Sequence, residues 1–458
     1  MTLPEVDTIA ALATALGPGA VAVVRVSGTG ATEVLARMSR RGAPLPPVRV
    51  ATLTRLIDPV DGSELDGALV TRFEAPASYT GEDVVEISCH GGRLVPGLVL
   101  QAALDAGARL AEPGEFTRRA YLHGKLDLVQ AEAVADMVEA RSRALHRAAL
   151  VQLDEGLSRR VGELRMVLVR LEALLAHHVD FPEEDDAPVP LADIAAEAEV
   201  LVGRMEAILS TAAEGALLRD GALAVLAGLP NAGKSSLYNA LIGEERAIVT
   251  DEPGTTRDAL ETGVQLGGYP FRLVDTAGLR DAGERVERLG VEVARRHLAK
   301  ADVILLCVEA GRTAGAAEDS FLEVAPAVPV VLVETKADLG EMPTEGTVGF
   351  RFAGRVRVSA RTGEGLEELR GLLPALVYSG LVVHQGDQPV ITRRRQSRAL
   401  SGARDEVRAF VDALAVGVPA EVASAHLRSA ESFLEELVGA VSTEDVLDAV
   451  FREFCVGK

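Results

Sequence analysis

The sequence predicts a multidomain protein of mixed class: an α+β region at the N-terminus, a helical bundle, and an α/β block with a mainly parallel sheet set inside the bundle. Three observations carry this. At 458 residues the chain exceeds one ordinary core, so about two to four domains are expected. The apolar pattern changes character near Asp127, Gly221 and Thr392, from short runs to helical spacing, to β-branched runs, and back to helix. Aromatic residues make up only 3% and Trp is absent, so Ala, Val and Leu fill the cores, which favours helix bundles and α/β layers.

Residues 1–120 alternate short apolar runs with Gly/Pro turns. Within them "GAVAVVRVSG" and "DVVEISCHGG" predict strands, and "GLVLQAALDAG" predicts a helix closed by glycine. From Asp127 to His178 proline is absent and Ala and Leu recur at helical spacing, which predicts long amphipathic helices. "DFPEEDDAPVP" breaks that run, and helix resumes at "LADIAAEAEVLVGRMEAILSTAAEGALL", giving the first part of a helical domain over 121–218. Beyond Gly221, "ALAVLAGLP", "FRLVDTAG", "ADVILLCVEA" and "VPVVLVETKAD" read as β-branched strands with helical segments between several of them. That is the pattern of a parallel sheet with crossover helices, over 219–376. Residues 377–458 are helical again; too few for a core of their own, they are expected to complete the bundle begun at Asp127.

The balance of 68 acidic against 47 basic residues gives a net charge of −21, a poor basis for nonspecific polyanion binding by the chain as a whole. The densest basic cluster is "RRRQSR", residues 393–398, either a local nucleic-acid contact or a solvated helix face. No apolar run approaches the roughly 20 residues of a membrane helix. The start, "MTLPEVDTIA", lacks the basic and apolar regions of a secretion signal. Cys89, Cys307 and Cys455 are scattered without metal-ligand spacing. A reducing cytoplasm and no membrane attachment are the expectation.

"GLPNAGKS", Gly228 to Ser235, follows an apolar strand and opens a helix, the context that makes such a stretch a phosphate loop. Backbone N–H groups of Asn231, Ala232, Gly233 and the helix start at Lys234, Ser235 and Ser236 face phosphate oxygens. Lys234 neutralises the β and γ phosphates and Ser235 ligates magnesium. Further on, the segment Thr250, Asp251, Glu252, Pro253, Gly254, Thr255 and Thr256 reads as a switch loop, with Thr256 the second magnesium hydroxyl. "DTAG", comprising Asp275, Thr276, Ala277 and Gly278, supplies an outer-shell carboxylate and a Gly N–H for the γ-phosphate. In "TKAD" (Thr335, Lys336, Asp338) the Asp338 carboxylate accepts from two guanine donors that adenine lacks. "SAR" (Ser359, Ala360, Arg361) offers backbone N–H to the guanine O6. In this order the pieces predict a Ras-like P-loop domain that binds GTP. Thr335 stands where Asn is commoner and is expected to lose reach to the phosphate loop.

Leu279 occupies the place of the usual water-orienting glutamine. Glu287 is positioned to replace it, though an acid in a first helical turn also serves the helix dipole alone. The charge of an arginine finger falls to Arg257, to Arg280, or to a monovalent cation on the amide oxygen of Asn231.

The stretches "DTIAALATALGPGAVAVVRVSG", "SYTGEDVVEISCHGG", "PGEFTRRAYLHGKLDLVQAEAVADMVEA", "DFPEED", "GLPNAGKSSLYNAL", "AIVTDEPGTTRD", "DTAGLRDAGERVERLG" and the terminal "FCVGK" span the chain. Through them it resembles the MnmE/TrmE family of tRNA-modification GTPases. The resemblance implies an N-terminal domain that dimerises and binds a folate, a helical domain, and an inserted G domain. It implies a homodimer that joins the FAD-dependent partner MnmG in a heterotetramer. Together they act on tRNA, adding an aminomethyl or carboxymethylaminomethyl group to C5 of the wobble uridine. The one-carbon carrier is 5,10-methylenetetrahydrofolate or 5-formyltetrahydrofolate, and potassium stimulates GTP hydrolysis. The family's catalytic glutamate falls on Glu287, its potassium ligands on Asn231, Thr250, Glu252 and Thr255, and its folate contacts on Arg25, Glu86, Lys125 and Lys458. Cys455 lies near Lys458 in sequence and reads either as inert packing on a buried helix face or as an activated thiol.

The alternative is a ribosome-assembly or translation-associated GTPase switch, which shares "PNAGKS" and "PGTTRD". The acidic tail, with no GxxG loop or basic setting, argues against it.

Overall fold

A computed structural model describes residues 7–15, 17–180, 189–243, 261–275, 295–312, 315, 328–339, 352–383 and 389–458. By contacts the chain forms two units, 1–135 with 435–458, and 136–434.

The first unit is built on a six-stranded sheet of order β3-β4-β5-β2-β1-β6. The strands are β1 (Ile9–Leu12), β2 (Val21–Ser27), β3 (Thr52–Ile57), β4 (Glu64–Phe73), β5 (Val84–His90) and β6 (Arg109–Leu110). Alternation along "VAVVRVS" buries Ala22, Val24 and Val26 on one face and leaves Val23 and Arg25 on the other. On the inward face Val24, Val26, Val70 and Ile87 pack against helices α1 (Ala31–Arg37) and α2 (Val95–Asp105) through Leu35, Val99 and Ala103. On the opposite face a smaller core of Ile9, Ala11, Ala111 and Phe116 gathers Tyr79 at its edge. Phe116 belongs to α3 (Glu115–Leu122). A third cluster joins α4 (Leu128–Glu139) to the last helix, through Leu128, Ala131, Leu447, Phe451 and Phe454. Residues 435–458, which the sequence reading groups with the second helical segment, pack within this unit. The chain end is fixed there: Pro113 bridges Val456, and the Phe116 N–H donates to the Lys458 carbonyl oxygen at 3.2 Å. Gly457 has φ +98° and a Cβ there would meet the Leu12 carbonyl oxygen at 2.3 Å, so this position tolerates no side chain.

The second unit holds α5 (Arg143–Leu153), α6 (Gly156–Asp180), α7 (Leu191–Leu209) and α8 (Ala212–Asp220) ahead of its sheet. Leu157, Val161, Leu164, Leu168, Leu171 and Leu175 alternate spacings of four and three along α6, and all are buried. The helical stretch from Asp127 is divided in two places, before the N-cap Ser142 and at Glu155, whose φ is +62°.

Six strands follow: β7 (Ala222–Ala227), β8 (Glu261–Leu266), β9 (Tyr269–Asp275), β10 (Val303–Glu309), β11 (Val330–Thr335) and β12 (Gly354–Arg357). Their order is β12-β11-β10-β7-β9-β8, parallel throughout except for the edge pair β8–β9. The central β7 reads "ALAVLA" and is buried at every position, as expected of a strand covered on both faces. Helices α9 (Lys234–Gly243), α10 (Leu366–Val377), α11 (Ser379–Val383), α12 (Arg394–Ala415), α13 (Ala420–Val438) and α14 (Glu444–Phe451) complete the described elements, the last within the first unit. The chain enters this block after α8 and returns beside it. The Ile391 N–H donates to Thr211 Oγ1 at 3.1 Å, and those of Gly380 and Leu381 donate to the Glu214 carboxylate.

Candidate functional site

The phosphate loop runs from the C-terminal end of β7 to the start of α9. Asn231 and Gly233 sit at φ +64° and +80°, left-handed conformations that curl the loop back on itself. The Lys234 ammonium is buried and donates to the carbonyl oxygens of Gly228 at 3.0 Å and Leu229 at 2.7 Å, so its charge is held at the loop. The exposed Ser235 hydroxyl donates to Asp275 Oδ2 at 2.6 Å. The two groups that the sequence assigns to a magnesium site are thereby brought together from α9 and the end of β9. Burial pushes the thiol of Cys307, one strand over in β10, up to about 12, so it stays a neutral packing group.

Asp338, which the sequence assigns to the base, follows β11. Its Oδ1 accepts from the Ser359 hydroxyl at 2.6 Å, and its Oδ2 accepts from Arg361 Nε and Nη2 at 2.9 and 2.7 Å. Ser359 and then Arg361 hold this carboxyl below the usual carboxylate range. The Ser359 N–H itself is used in the turn, donating to the Glu364 carbonyl oxygen at 3.0 Å. Lys336, at φ +56°, pairs with Glu309 at 3.0 Å.

In the first unit, Arg25 and Glu86 face each other across β2 and β5 on the side away from α1 and α2. Arg25 Nε and Nη2 both donate to Glu86 Oε1, at 3.0 and 2.9 Å. The guanidinium lies 5.4 Å from the centre of the Tyr79 ring and 5.6 Å from that of Phe116. Since the Phe116 N–H holds the Lys458 carbonyl, the chain end belongs to the same neighbourhood. Lys125 is exposed and its ammonium donates to the Pro76 carbonyl oxygen at 3.1 Å, three residues before Tyr79.

The family model of the MnmE helical domain matches residues 128–455, and that of the GTP-binding protein TrmE N-terminus matches residues 8–125. The tRNA modification GTPase MnmE of Moorella thermoacetica is 42% identical over 463 aligned residues, covering 99% of this chain and 99% of that protein. The chain belongs to the MnmE family. Its namesakes from Akkermansia muciniphila, at 42% identity with full coverage of both chains, and Azoarcus sp., at 43% with 99% and 98% covered, are as similar.

Three expectations for this MnmE-family chain need correction. Thr335 does not lose reach: its hydroxyl lies 2.7 Å from the Ala232 carbonyl oxygen and 3.2 Å from that of Val308. The approach is close because Gly233 has no side chain; a Cβ there would sit 3.0 Å from Thr335 Cβ. The cluster 393–398 is not one solvated face. Arg393 is buried and donates to Asp136 at 2.6 Å, and Gln396 is buried, which leaves only Arg394 and Arg398 exposed. Cys455 is exposed and follows α14 rather than lying on a buried helix face.

Thr250, Asp251, Glu252, Pro253, Gly254, Thr255, Thr256, Arg257, Thr276, Ala277, Gly278, Leu279, Arg280 and Glu287 lie outside the described residues. Sequence reading missed the group around Arg119. This buried side chain contacts Asp7, Glu82 and Glu115 at 2.6–3.1 Å, while Arg109 pairs with Asp7 and Glu115. The signal was "EFTRRAYL", whose Glu115 and Arg119 stand one helical turn apart. Among the described residues, no helix is long and apolar enough to cross a membrane.

Proposed function

We propose that the chain is the GTP-hydrolysing component of a system that adds (carboxymethyl)aminomethyl groups to C5 of the wobble uridine of certain tRNAs. It works in the cytoplasm as a homodimer, with an FAD-dependent MnmG partner in a heterotetramer. The single observation that supports this most is the bond from Thr335 to Ala232, which ties the guanine-reading segment to the phosphate loop within one sheet. Residues 219–376 act as an inserted G domain between helical segments 121–218 and 377–458, after an N-terminal domain of 1–120 whose unit also takes in the chain end, 435–458.

Asp338 presents a carboxylate, one oxygen fixed by Ser359, to the two donors of guanine. Lys234 keeps a buried positive charge where the transferred phosphoryl develops negative charge. Magnesium fits the described part of its site, because the Ser235 hydroxyl and Asp275 carboxylate are hard oxygen donors already 2.6 Å apart. With Thr256 these groups would hold the ion, which would supply charge neutralisation to the phosphates. Potassium fits an amide oxygen on Asn231, which is exposed at the head of the loop, with Thr250, Glu252 and Thr255. Glu287 orients the attacking water.

Tetrahydrofolate fits the first unit. Glu86 supplies an acceptor, Arg25 a donor fixed over two aromatic rings, and Lys125 and Lys458 cations. Bound there, the folate supplies the one-carbon unit. The test is nucleoside analysis of tRNA from a strain lacking this chain. The C5-substituted uridine should disappear, return with the wild type, and stay absent with Lys234→Ala. An unchanged nucleoside profile, with the protein co-purifying with 30S or 50S particles, would reverse the reading toward a ribosomal switch.

A further inference from the structure

In the second unit a cavity of about 460 Å³ opens between the start of α5 and strand β8, with Arg141, Arg143, His146 and Arg147 on its wall and Gln265 opposite. All four cationic or titratable side chains are exposed, and none forms an ion pair among the described residues. That is unexpected in a chain of net charge −21, where Arg119 and Arg393 are each engaged by carboxylates. The sequence explains it locally: residues 140–153, "ARSRALHRAALVQL", contain no Asp or Glu. Arg143 and Arg147 stand one turn apart on a shared helical face. The helix start is rigid, because Ser142 caps the Leu145 N–H at 3.1 Å and the Ala144 N–H donates to the Gly268 carbonyl oxygen at 3.1 Å in the β8–β9 turn.

We propose that this cavity grips the phosphate backbone of the tRNA, an inference that rests on the tRNA-modifying reading above. Guanidinium forks match phosphate oxygens two at a time. Here three of them line an open, solvent-exposed wall, with His146 and Gln265 as polar neighbours and no carboxylate among the lining residues. An exposed array of that kind gains by displacing counterions from several phosphates in a row and gains little from one small anion. It also answers how so acidic a chain holds RNA: the grip is local, at a segment free of acids.

The test is fluorescence anisotropy of a labelled tRNA transcript against the full-length chain, between about 50 and about 200 mM salt. Arg141→Ala/Arg143→Ala/Arg147→Ala should weaken binding about tenfold or more and reduce the slope of log affinity against log salt by about two to three. The triple Lys variant should restore the slope. GTP turnover without tRNA should be unchanged in both, since none of the three touches the nucleotide site, and this shows that the variants are folded. Unchanged affinity and slope in the Ala variant would overturn the proposal and leave the tRNA-modifying reading standing. Inorganic phosphate binding that the variant loses, with no competition from tRNA, would also overturn it. A wild type that binds no tRNA overturns it too, while the nucleoside analysis separately decides the broader reading.

Discussion

The hydroxyl of Thr335 lies 2.7 Å from the carbonyl oxygen of Ala232, so the strand that leads to Asp338 is hydrogen-bonded to the phosphate loop. Ala232 is 4% exposed, so water cannot readily replace that donor. Thr335→Val keeps the shape and removes the hydrogen, leaving a buried acceptor unsatisfied at about 1–3 kcal/mol. GDP affinity should fall about tenfold, and Thr335→Ser should retain most of it. Calorimetric titration with GDP checks this; a Val variant with wild-type affinity would mean that the bond does not shape the site.

Asp338 has its carboxyl held below the ordinary range by Ser359 and then by Arg361. It therefore stays ionised as pH falls through the mildly acid range, and GDP affinity should be flat from pH 7 to about pH 5. Asp338→Asn substitutes a donor for an acceptor and should relax discrimination against xanthine nucleotides. Competition between GDP and xanthosine diphosphate measures it. Equal GDP and ADP affinity in the wild type would remove Asp338 from base recognition.

How legible the molecule was in its sequence depended on the range of the interaction. The runs around β2, β5, β7, β9, β10 and β11 announce themselves because burial follows a local period, as "ALAVLA" shows. The phosphate loop is equally local: its glycines and Lys234 lie within one turn of chain. Strand β8 was not announced, since "ETGVQL" is half-polar and owes its place to antiparallel pairing with β9 at the sheet edge. The bond of Thr335 joins residues 103 positions apart, and that of Arg393 to Asp136 spans 257, so neither leaves a sequence signature. For the same reason "RRRQSR" looked like the basic surface, while the acid-free 140–153 passed as ordinary amphipathic helix.

Arg119 is the hub of the buried polar group in the first unit, contacting Asp7, Glu82 and Glu115. Burial pushes the Glu115 carboxyl up, but Arg109, the Glu112 N–H and Arg119 outweigh it and hold it below its ordinary value. Asp7 is lowered likewise, with Arg109 and Arg119 overcoming its burial. Depressed folded values contribute stability that is present above the unfolded carboxylate range and is lost as pH falls through the folded values. Arg119→Met takes the paired cation from Glu82 and one of two from Asp7 and Glu115, which keep Arg109, and should destabilise the unit by about 1–3 kcal/mol at neutral pH. The deficit should shrink toward pH 4, as the stranded carboxylates take up protons. Scanning calorimetry across pH reads both effects, and a deficit that does not vary with pH would show that Arg119 acts by packing alone.

Arg25 is oriented by Glu86 and rests over Tyr79 and Phe116. Arg25→Ala and Lys125→Ala should each abolish measurable binding of 5-formyltetrahydrofolate while leaving GTP turnover nearly intact. Glu86→Gln should weaken it less, because the amide still accepts from Arg25 but carries no charge. Titration calorimetry with the folate distinguishes these outcomes. Unchanged affinity in the Arg25 and Lys125 variants would clear both residues from the site, and parallel loss of GTPase activity would point to misfolding.

Hydrolysis needs a group that orients water, and Leu279 cannot serve, since it neither donates nor accepts a proton. In the proposed reading Glu287 takes this role, as the resemblance to the MnmE family implies, and Asn231 offers a cation its amide oxygen. Turnover should therefore be faster in potassium than in sodium at equal ionic strength. Glu287→Ala should slow it by about 10²–10⁴, the usual worth of a positioned acid–base group. Nucleotide affinity should hardly move, because the carboxylate acts in the transition state and not in the bound ground state. Asp281→Ala and Glu284→Ala serve as controls, each removing a neighbouring negative charge. If either slows hydrolysis as much as Glu287→Ala, the effect belongs to the charge of the whole segment. A wild type indifferent to the cation removes Asn231 from its role and returns the missing positive charge to Arg257 or Arg280, whose Ala variants would then carry the loss.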